Sequence, residues 1–76
     1  MSNMPSVTGK ELTSKLCNAG YIILRKKGSH FFLTLPDQPM KSTVVQNTPK
    51  DIPVGTLLAI QKQLRITRKE FIELIS

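Results

Sequence analysis

The 76-residue sequence is poor in the residues from which metal sites and disulfide frameworks are built. Its one cysteine, Cys17, has no partner within the chain for a disulfide, which is typical of proteins from a reducing compartment. Its one histidine, His30, leaves no Cys/His set for a structural zinc site. The five Asp and Glu residues have no spacing that suggests paired carboxylates or a metal cage. We therefore expect no metal, and metal-free acid–base chemistry is the enzymatic option that these residues leave open.

Long apolar runs and glycine-rich phosphate loops are also missing. No apolar stretch approaches the roughly 18 residues that a bilayer span needs, and Met1 to Pro5 do not form a secretory signal. A chain this short buries only about 60% of the surface that its unfolded form exposes, which leaves no deep cavity for a large cofactor. We expect a soluble, cytoplasmic protein without a cofactor and without a membrane partner.

Positive charge is the feature that the sequence has in excess. Eleven Lys and Arg residues face five Asp and Glu residues, so the formal net charge is +6. A small basic domain attracts polyanions, which places nucleic acid, an acidic protein or an anionic membrane first among partners. The alternative is that the charge only maintains solubility.

The first half of the chain reads as a short tail, a helix and three strands. Residues 1–6 form the tail, and residues 7–76 form a single domain. Thr8 and Glu11 have the spacing of a capping box for a helix over 9–18, which Gly20 ends. Strands are predicted over 21–27 and 30–35, joined by a turn at Gly28 and Ser29. A loop over 37–41 and a third strand over 42–46 follow.

The second half is predicted to be helical. Leu57, Ile60 and Leu64 recur at helical spacing, which predicts a helix over 54–64. Thr67 and Glu70 form a second capping box before a short terminal helix. The predicted class is α+β, with a three-stranded antiparallel sheet, helices on one of its faces, and the other face open to water.

Alternation along the second strand places His30 on the open face. Phe31, Leu33 and Leu35 share one side of the strand, while His30 and Phe32 share the other with Thr34. In that position His30 is a candidate general base, although a solvated strand-edge histidine has the same pattern. Phe32 is a candidate for stacking a nucleic-acid base, and a partly covered core phenylalanine is the alternative.

Three consecutive basic residues, Arg25, Lys26 and Lys27, end the first strand, and alternate members face opposite sides. They are candidates for contacts with phosphates, together with Lys10, and the alternative is a charged strand end that discourages aggregation. Cys17 lies near the end of the first helix, where the helix dipole disfavours a thiolate, so it is interpreted as a buried structural thiol rather than a nucleophile.

Several segments together resemble one known family. The segments are Gly9-Lys10-Glu11-Leu12, Gly20-Tyr21, Arg25-Lys26-Lys27-Gly28-Ser29-His30-Phe31 and Pro53-Val54-Gly55-Thr56-Leu57-Leu58-Ala59-Ile60. They resemble the HicA (YcfA-like) toxin family over nearly the whole chain after the tail. The combination of the Gly-Ser-His turn with the later Gly-Thr-Leu helix start is fairly specific.

The resemblance implies a double-stranded-RNA-binding-domain-like fold and a metal-independent mRNA interferase, that is, an endoribonuclease from a toxin–antitoxin pair. His30 matches the catalytic histidine of the family, while Gly28 and Ser29 match the residues that shape the preceding turn. The implied partners are RNA and a HicB-type antitoxin. The candidate RNA-binding residues in this sequence are Lys10, Arg25, Lys26, Lys27 and Ser29. One departure is that Val45-Gln46-Asn47-Thr48 stands where family members often carry Pro-x-His.

Two other function classes stay open at this point. The same sheet and basic face would serve a non-catalytic RNA-binding module. They would also serve a protein-binding domain whose positive charge meets an acidic partner.

Overall fold

The structure is a computed structural model, and it describes residues 4–76. The described elements are α1 (Gly9–Asn18), β1 (Ile22–Lys27), β2 (His30–Leu35), β3 (Gln38–Gln46), α2 (Val54–Gln63) and α3 (Arg68–Ile75). The three strands form one antiparallel sheet in the order β1-β2-β3. This is the predicted α+β class, and the arrangement is that of a double-stranded-RNA-binding-domain-like fold.

Helix α1 begins and ends where its local sequence predicts. The Thr8 hydroxyl accepts a hydrogen bond from the Glu11 amide, and the Glu11 carboxylate accepts one from the Thr8 amide at 2.8 Å, which completes the capping box. At the other end Gly20 has φ +102°, and the Tyr21 amide donates to the Leu16 carbonyl at 3.0 Å. This pairing is the Schellman motif, in which a glycine in the left-handed region satisfies the last carbonyls of a helix. The prediction that Cys17 is buried was wrong, because Leu12 and Leu16 occupy the core-facing side of α1 and Cys17 is exposed.

The β1–β2 hairpin turns at Gly28 and Ser29, as predicted. Gly28 has φ +60°, and Ser29 does not have a positive φ. A positive φ at the first central position alone is the pattern of a type II′ turn, which matches the twist of the flanking strands. The turn places Lys27 and His30 directly opposite each other at the end of the hairpin.

Strand β3 is longer than the sequence predicts. The loop predicted over 37–41 was wrong beyond Asp37, because β3 begins at Gln38 and pairs with Leu35. Pro39 indicated a break, since proline has no amide hydrogen for a ladder. The strand tolerates it because β3 is an edge strand and the ladder is irregular between Thr34 and Leu35. The buried Thr34 hydroxyl is satisfied there, as it accepts from the Ser42 hydroxyl at 2.7 Å.

The hydrophobic core lies between one face of the sheet and the helices. Helices α1 and α2 pack on the sheet, and α3 packs against both helices. The most deeply buried side chains are Leu12, Leu16, Leu33, Val45, Leu57, Leu64 and Phe71. Phe31 and Leu35 pack against this cluster, as the alternation in β2 predicts. The opposite face of the sheet carries no helix among residues 4–76, and it is called the open face below.

The ends of the described chain add two observations. Met4, which falls in the predicted tail, packs against the core, while residues 1–3 of that tail lie outside the described residues. Within residues 4–76, none of the helices has the length and apolar character needed to cross a membrane.

Candidate functional site

His30 is the first residue of β2, and it lies in the middle strand of the sheet. Lys27 pairs with it on the β1 side and Gln46 on the β3 side. Its imidazole is exposed and makes no hydrogen bond or ion pair with any other residue from 4 to 76. A histidine in this setting is free to take a proton from a bound ligand, and that ligand has to supply the orientation that a neighbouring carboxylate would otherwise give.

A β-bulge in β1 decides which basic residues share the face of His30. Ile23 pairs with Leu33, but the next residue of β2, Phe32, pairs with Arg25, so Leu24 is the extra residue. Because side chains alternate along a strand, one extra residue exchanges the faces of everything beyond it. Arg25 and Lys27 therefore lie on the open face, beside Phe32 and His30 respectively.

The remaining member of the basic run faces the helices. Lys26 pairs with Phe31, and its ammonium nitrogen lies 4.8 Å from the centre of that ring. On the open face the guanidinium carbon of Arg25 lies 4.4 Å from the centre of the Phe32 ring. Both are cation–π contacts, and they hold two neighbouring cations on opposite sides of one strand. The sequence prediction that alternate members of the run face opposite sides is confirmed.

The start of α1 packs against the segment that follows β3. The Lys10 amide donates to the Thr48 carbonyl at 3.0 Å, and the Asn47 amide donates to the Ser29 carbonyl at 2.7 Å. Lys10, Ser29 and the end of β3 are thereby joined next to the His30–Gln46 pair. The structure thus brings Lys10 to the same end of the sheet as the Gly28–Ser29 turn.

Gly9 is the residue that makes this junction possible, and sequence reasoning gave it no role beyond the start of the helix. A Cβ at Gly9 would lie 1.8 Å from the Gln46 carbonyl oxygen and 2.9 Å from the Thr48 nitrogen. Only glycine permits this approach of the two backbones. The signal in the sequence was a glycine at a helical position directly after a strong N-cap, where a better helix former would ordinarily stand.

Two groups with displaced pKa values lie outside this site. Burial raises the pKa of the Tyr21 phenol. The pKa of Glu70 is lowered, chiefly by the hydrogen bond that its carboxylate accepts from the Thr67 amide. The Thr67 side chain and the positive charge of Lys41 lower it further. Within residues 4–76 no three His, Cys, Asp or Glu side chains lie close enough together to hold a metal ion.

The family comparison covers the residues around His30 described above. The family model described as the HicA toxin of bacterial toxin–antitoxin systems matches residues 9–66. The chain belongs to the HicA toxin family. The match begins at Gly9, includes the whole sheet and α2, and ends before α3. No curated protein matches the sequence significantly. The suspected family is thereby confirmed, and with it a toxin–antitoxin context.

Proposed function

We propose that this HicA-family protein is a metal-independent endoribonuclease that cleaves mRNA in the cytoplasm, with His30 as its general base. The observation that carries the proposal is the placement of the single histidine on an exposed sheet face, with Lys27 directly opposite and Arg25 two pairs further along on the same face. This combination brings a proton acceptor and two cations to one surface. A phosphodiester beside a 2′-hydroxyl is the substrate that such a surface fits.

In the proposed reaction the His30 imidazole takes the proton of a ribose 2′-hydroxyl. The 2′ oxygen then attacks the adjacent phosphorus, the bond to the 5′ oxygen breaks, and that oxygen takes up a proton from the imidazolium or from solvent. Lys27 and Arg25, with Lys10 and Lys26 at the rim, offset the charge on the phosphate oxygens, and Ser29 and Gly28 shape the turn that presents His30. Proton transfer by a positioned side chain raises the reaction rate by about 10²- to 10⁴-fold. Most of the remaining rate acceleration must therefore come from positioning of the RNA.

The chemistry of the products tests this proposal. We expect RNA fragments with 2′,3′-cyclic phosphate and 5′-hydroxyl ends, and we expect cleavage to persist in EDTA. A 2′-O-methyl group at the cut site should protect the RNA, because it removes the nucleophile. His30→Ala should abolish cleavage while RNA binding persists. Loss of wild-type activity on chelation, restored by a divalent metal, would contradict the mechanism.

A second function is favoured by one observation, namely that no residue from 4 to 76 orients the His30 imidazole. A non-catalytic RNA-binding module needs no such orientation, because its basic open face alone would hold the RNA. The two functions differ in one measurement. If purified protein binds single-stranded RNA and leaves it intact, and His30→Ala binds it equally well, the protein is a binding module.

We also propose a HicB-type antitoxin as the protein partner, since a ribonuclease of this kind has to be held inactive in its own cell. The exposed face that carries His30 is the surface whose coverage would inhibit the enzyme directly. Acidic or polar groups of the antitoxin would meet Arg25 and Lys27, and that complementarity would speed association. An interface of standard size takes about 800 Å² from each partner, which is enough to hide His30 on a domain of this size.

A further inference from the structure

Arg25 and Phe32 form a stacked pair on the open face of the sheet. The guanidinium carbon lies 4.4 Å from the ring centre, so the cation rests on the aromatic face. Phe32 is half-buried and lies in the central strand, which fixes the ring, and the ring in turn holds the long, exposed side chain of Arg25. The outer surface of the pair is therefore a guanidinium held in a defined position above the sheet.

We propose that the Arg25–Phe32 pair is a stacking platform for one base of single-stranded RNA, next to the nucleotide that His30 acts on. The proposal rests on the proposed ribonuclease function and adds a positioning site to it. Bases of single-stranded RNA stack on aromatic rings and on arginine guanidinium planes, and Arg25 supplies such a plane. Its charge also attracts the neighbouring phosphate, which a phenylalanine alone does not do.

The spacing on the sheet fits adjacent nucleotides. His30 and Phe32 are two residues apart on one strand and on one face, which separates them by about 7 Å along the strand. Lys27 lies beside His30, and Arg25 lies beside Phe32, so each of the two positions has its own cation. An RNA strand that runs along β2 would therefore place a phosphate near Lys27 and an adjoining base over Arg25.

Apolar side chains that flank the platform extend the same surface. Val44 of β3 pairs with Phe32 of β2 and is 41% exposed. Leu24, the extra residue of the bulge in β1, is 63% exposed. Exposed apolar atoms beside a cation are suited to the flat, partly apolar face of a base and to the phosphate that follows it. The combination favours nucleic acid over an acidic peptide, which would use the charges but not the flat apolar surface beside them.

The experiment separates two possible contributions of Arg25 to RNA binding, its positive charge and the stacking of a base on its guanidinium plane. The probes are single-stranded 2′-O-methyl RNA 12-mers, which are not cleaved, each with one 2-aminopurine at successive positions. We expect wild-type protein to change the fluorescence of one position most strongly. Arg25→Lys keeps the charge but removes the guanidinium plane, and Phe32→Leu keeps an apolar side chain but removes the ring. Both should remove that change and lower affinity by about 5- to 150-fold, the range that one stacked base contributes.

Two comparisons make the result specific. An RNA that is abasic at the responsive position should bind wild-type and Arg25→Lys protein equally, because the missing base leaves nothing to stack. Lys69→Ala, on α3, removes one positive charge from another part of the surface and should nevertheless keep the fluorescence change. Circular dichroism and thermal unfolding of Phe32→Leu establish that it folds, and Arg25→Lys, at an exposed position, gives the same answer independently.

The outcomes distinguish this proposal from the proposed function. If wild-type protein cleaves RNA but Arg25→Lys and Phe32→Leu keep full affinity and full fluorescence change, the platform is refuted and the ribonuclease stands. If wild-type protein neither binds nor cleaves RNA, the proposed function itself fails. If the two variants lose affinity only for a protein antitoxin, the pair is a protein contact, and the stacking proposal is overturned.

Discussion

Arg25 pairs with Phe32 on the open face of the sheet. Strict alternation counted from Ile23, which packs against the core, would instead place Arg25 on the face covered by the helices. Ile23 and Arg25 are two residues apart, yet their partners Leu33 and Phe32 are adjacent. The bulge at Leu24 absorbs the difference. Both the cation beside His30 and the cation over Phe32 owe their positions to that one extra residue.

The bulge itself can be tested by deletion. Deletion of Leu24 should leave Ile23 opposite Leu33 and Arg25 opposite Phe32 in a regular ladder, so the fold and the open face persist. Because Leu24 is 63% exposed, little buried surface is lost, and we expect the melting temperature to change by less than about 8 °C. Thermal unfolding and RNA affinity are the measurements.

Deletion of Lys26 is the matched control, since it also removes the bulge. It places Leu24 opposite Phe32 and Arg25 opposite Phe31, on the side of the helices. We expect this variant to fold but to lose much more RNA affinity than Lys26→Ala, which removes the charge alone. Equal RNA affinity of the two deletion variants would show that the face occupied by Arg25 has no bearing on binding.

Salt dependence tests the contacts with phosphate. Each cation that binds a phosphate of single-stranded RNA contributes about −0.7 to the slope of log affinity against log salt concentration. Lys27 pairs with His30 on the open face, so Lys27→Ala should make the slope shallower by about that amount and weaken binding about equally for all sequences. The slope of the Lys26→Ala/Lys27→Ala double variant should be at least as shallow as that of Lys27→Ala. An unchanged slope in the double variant would mean that these lysines only solvate the end of a strand.

Inhibition by the antitoxin is predicted to be steric. In the complex with a HicB-type antitoxin, amide exchange should slow along the open face of β2 and β3, and the ring signals of His30 should lose solvent contact. Association should slow at high salt, because charge complementarity accelerates the encounter. Protection around Leu57–Leu64 with His30 still open to solvent would instead indicate allosteric inhibition.

Gly9→Ala should destabilise the protein through one steric overlap. The added Cβ would lie 1.8 Å from the Gln46 carbonyl oxygen, so α1 or the end of β3 has to move. We expect a loss of about 2–4 kcal/mol in the free energy of unfolding, measured in urea. Gly55→Ala is the control, because a Cβ at that position meets no atom within 4 Å beyond its chain neighbours and the backbone of its own helix. It should be neutral or stabilise the protein by up to about 1 kcal/mol. A similar loss in both variants would contradict the role of the close approach.

Stability in acid should depend on Glu70. Its pKa in the folded protein lies below its ordinary value, chiefly because the Thr67 amide donates to the carboxylate at 2.8 Å. A lowered folded-state pKa means that the stabilisation is fully present above the unfolded-state value, about 4.3, and is lost as the pH falls through the folded-state value. Glu70→Gln should therefore lose stability at neutral pH and show a flatter decline below about pH 4.5. The measurement is the free energy of unfolding in urea across this pH range, and equal pH dependence in wild type and Glu70→Gln would contradict the role of the carboxylate.

Local rules determined much of the fold from the sequence. Two capping boxes, the glycine that ends α1 and the turn at Gly28 act within a few residues, so the bounds of α1 and β2 and the start of α3 could be predicted. Alternation in β2 likewise predicted that His30 and Phe32 share the face opposite Leu33. These features depend on backbone geometry and on burial of one face, which a short stretch of sequence expresses fully.

Only the tertiary structure decided the rest. The face taken by each of Arg25, Lys26 and Lys27 depends on a bulge, and a bulge is set by the pairing with β2 rather than by the residues of β1 alone. The extension of β3 through Pro39 depends on its position at the edge of the sheet, where the missing amide hydrogen is not needed. The requirement for Gly9 arises from a backbone nearly 40 residues away in the sequence. Each depends on a contact between distant segments, and a local sequence pattern does not specify which segments meet.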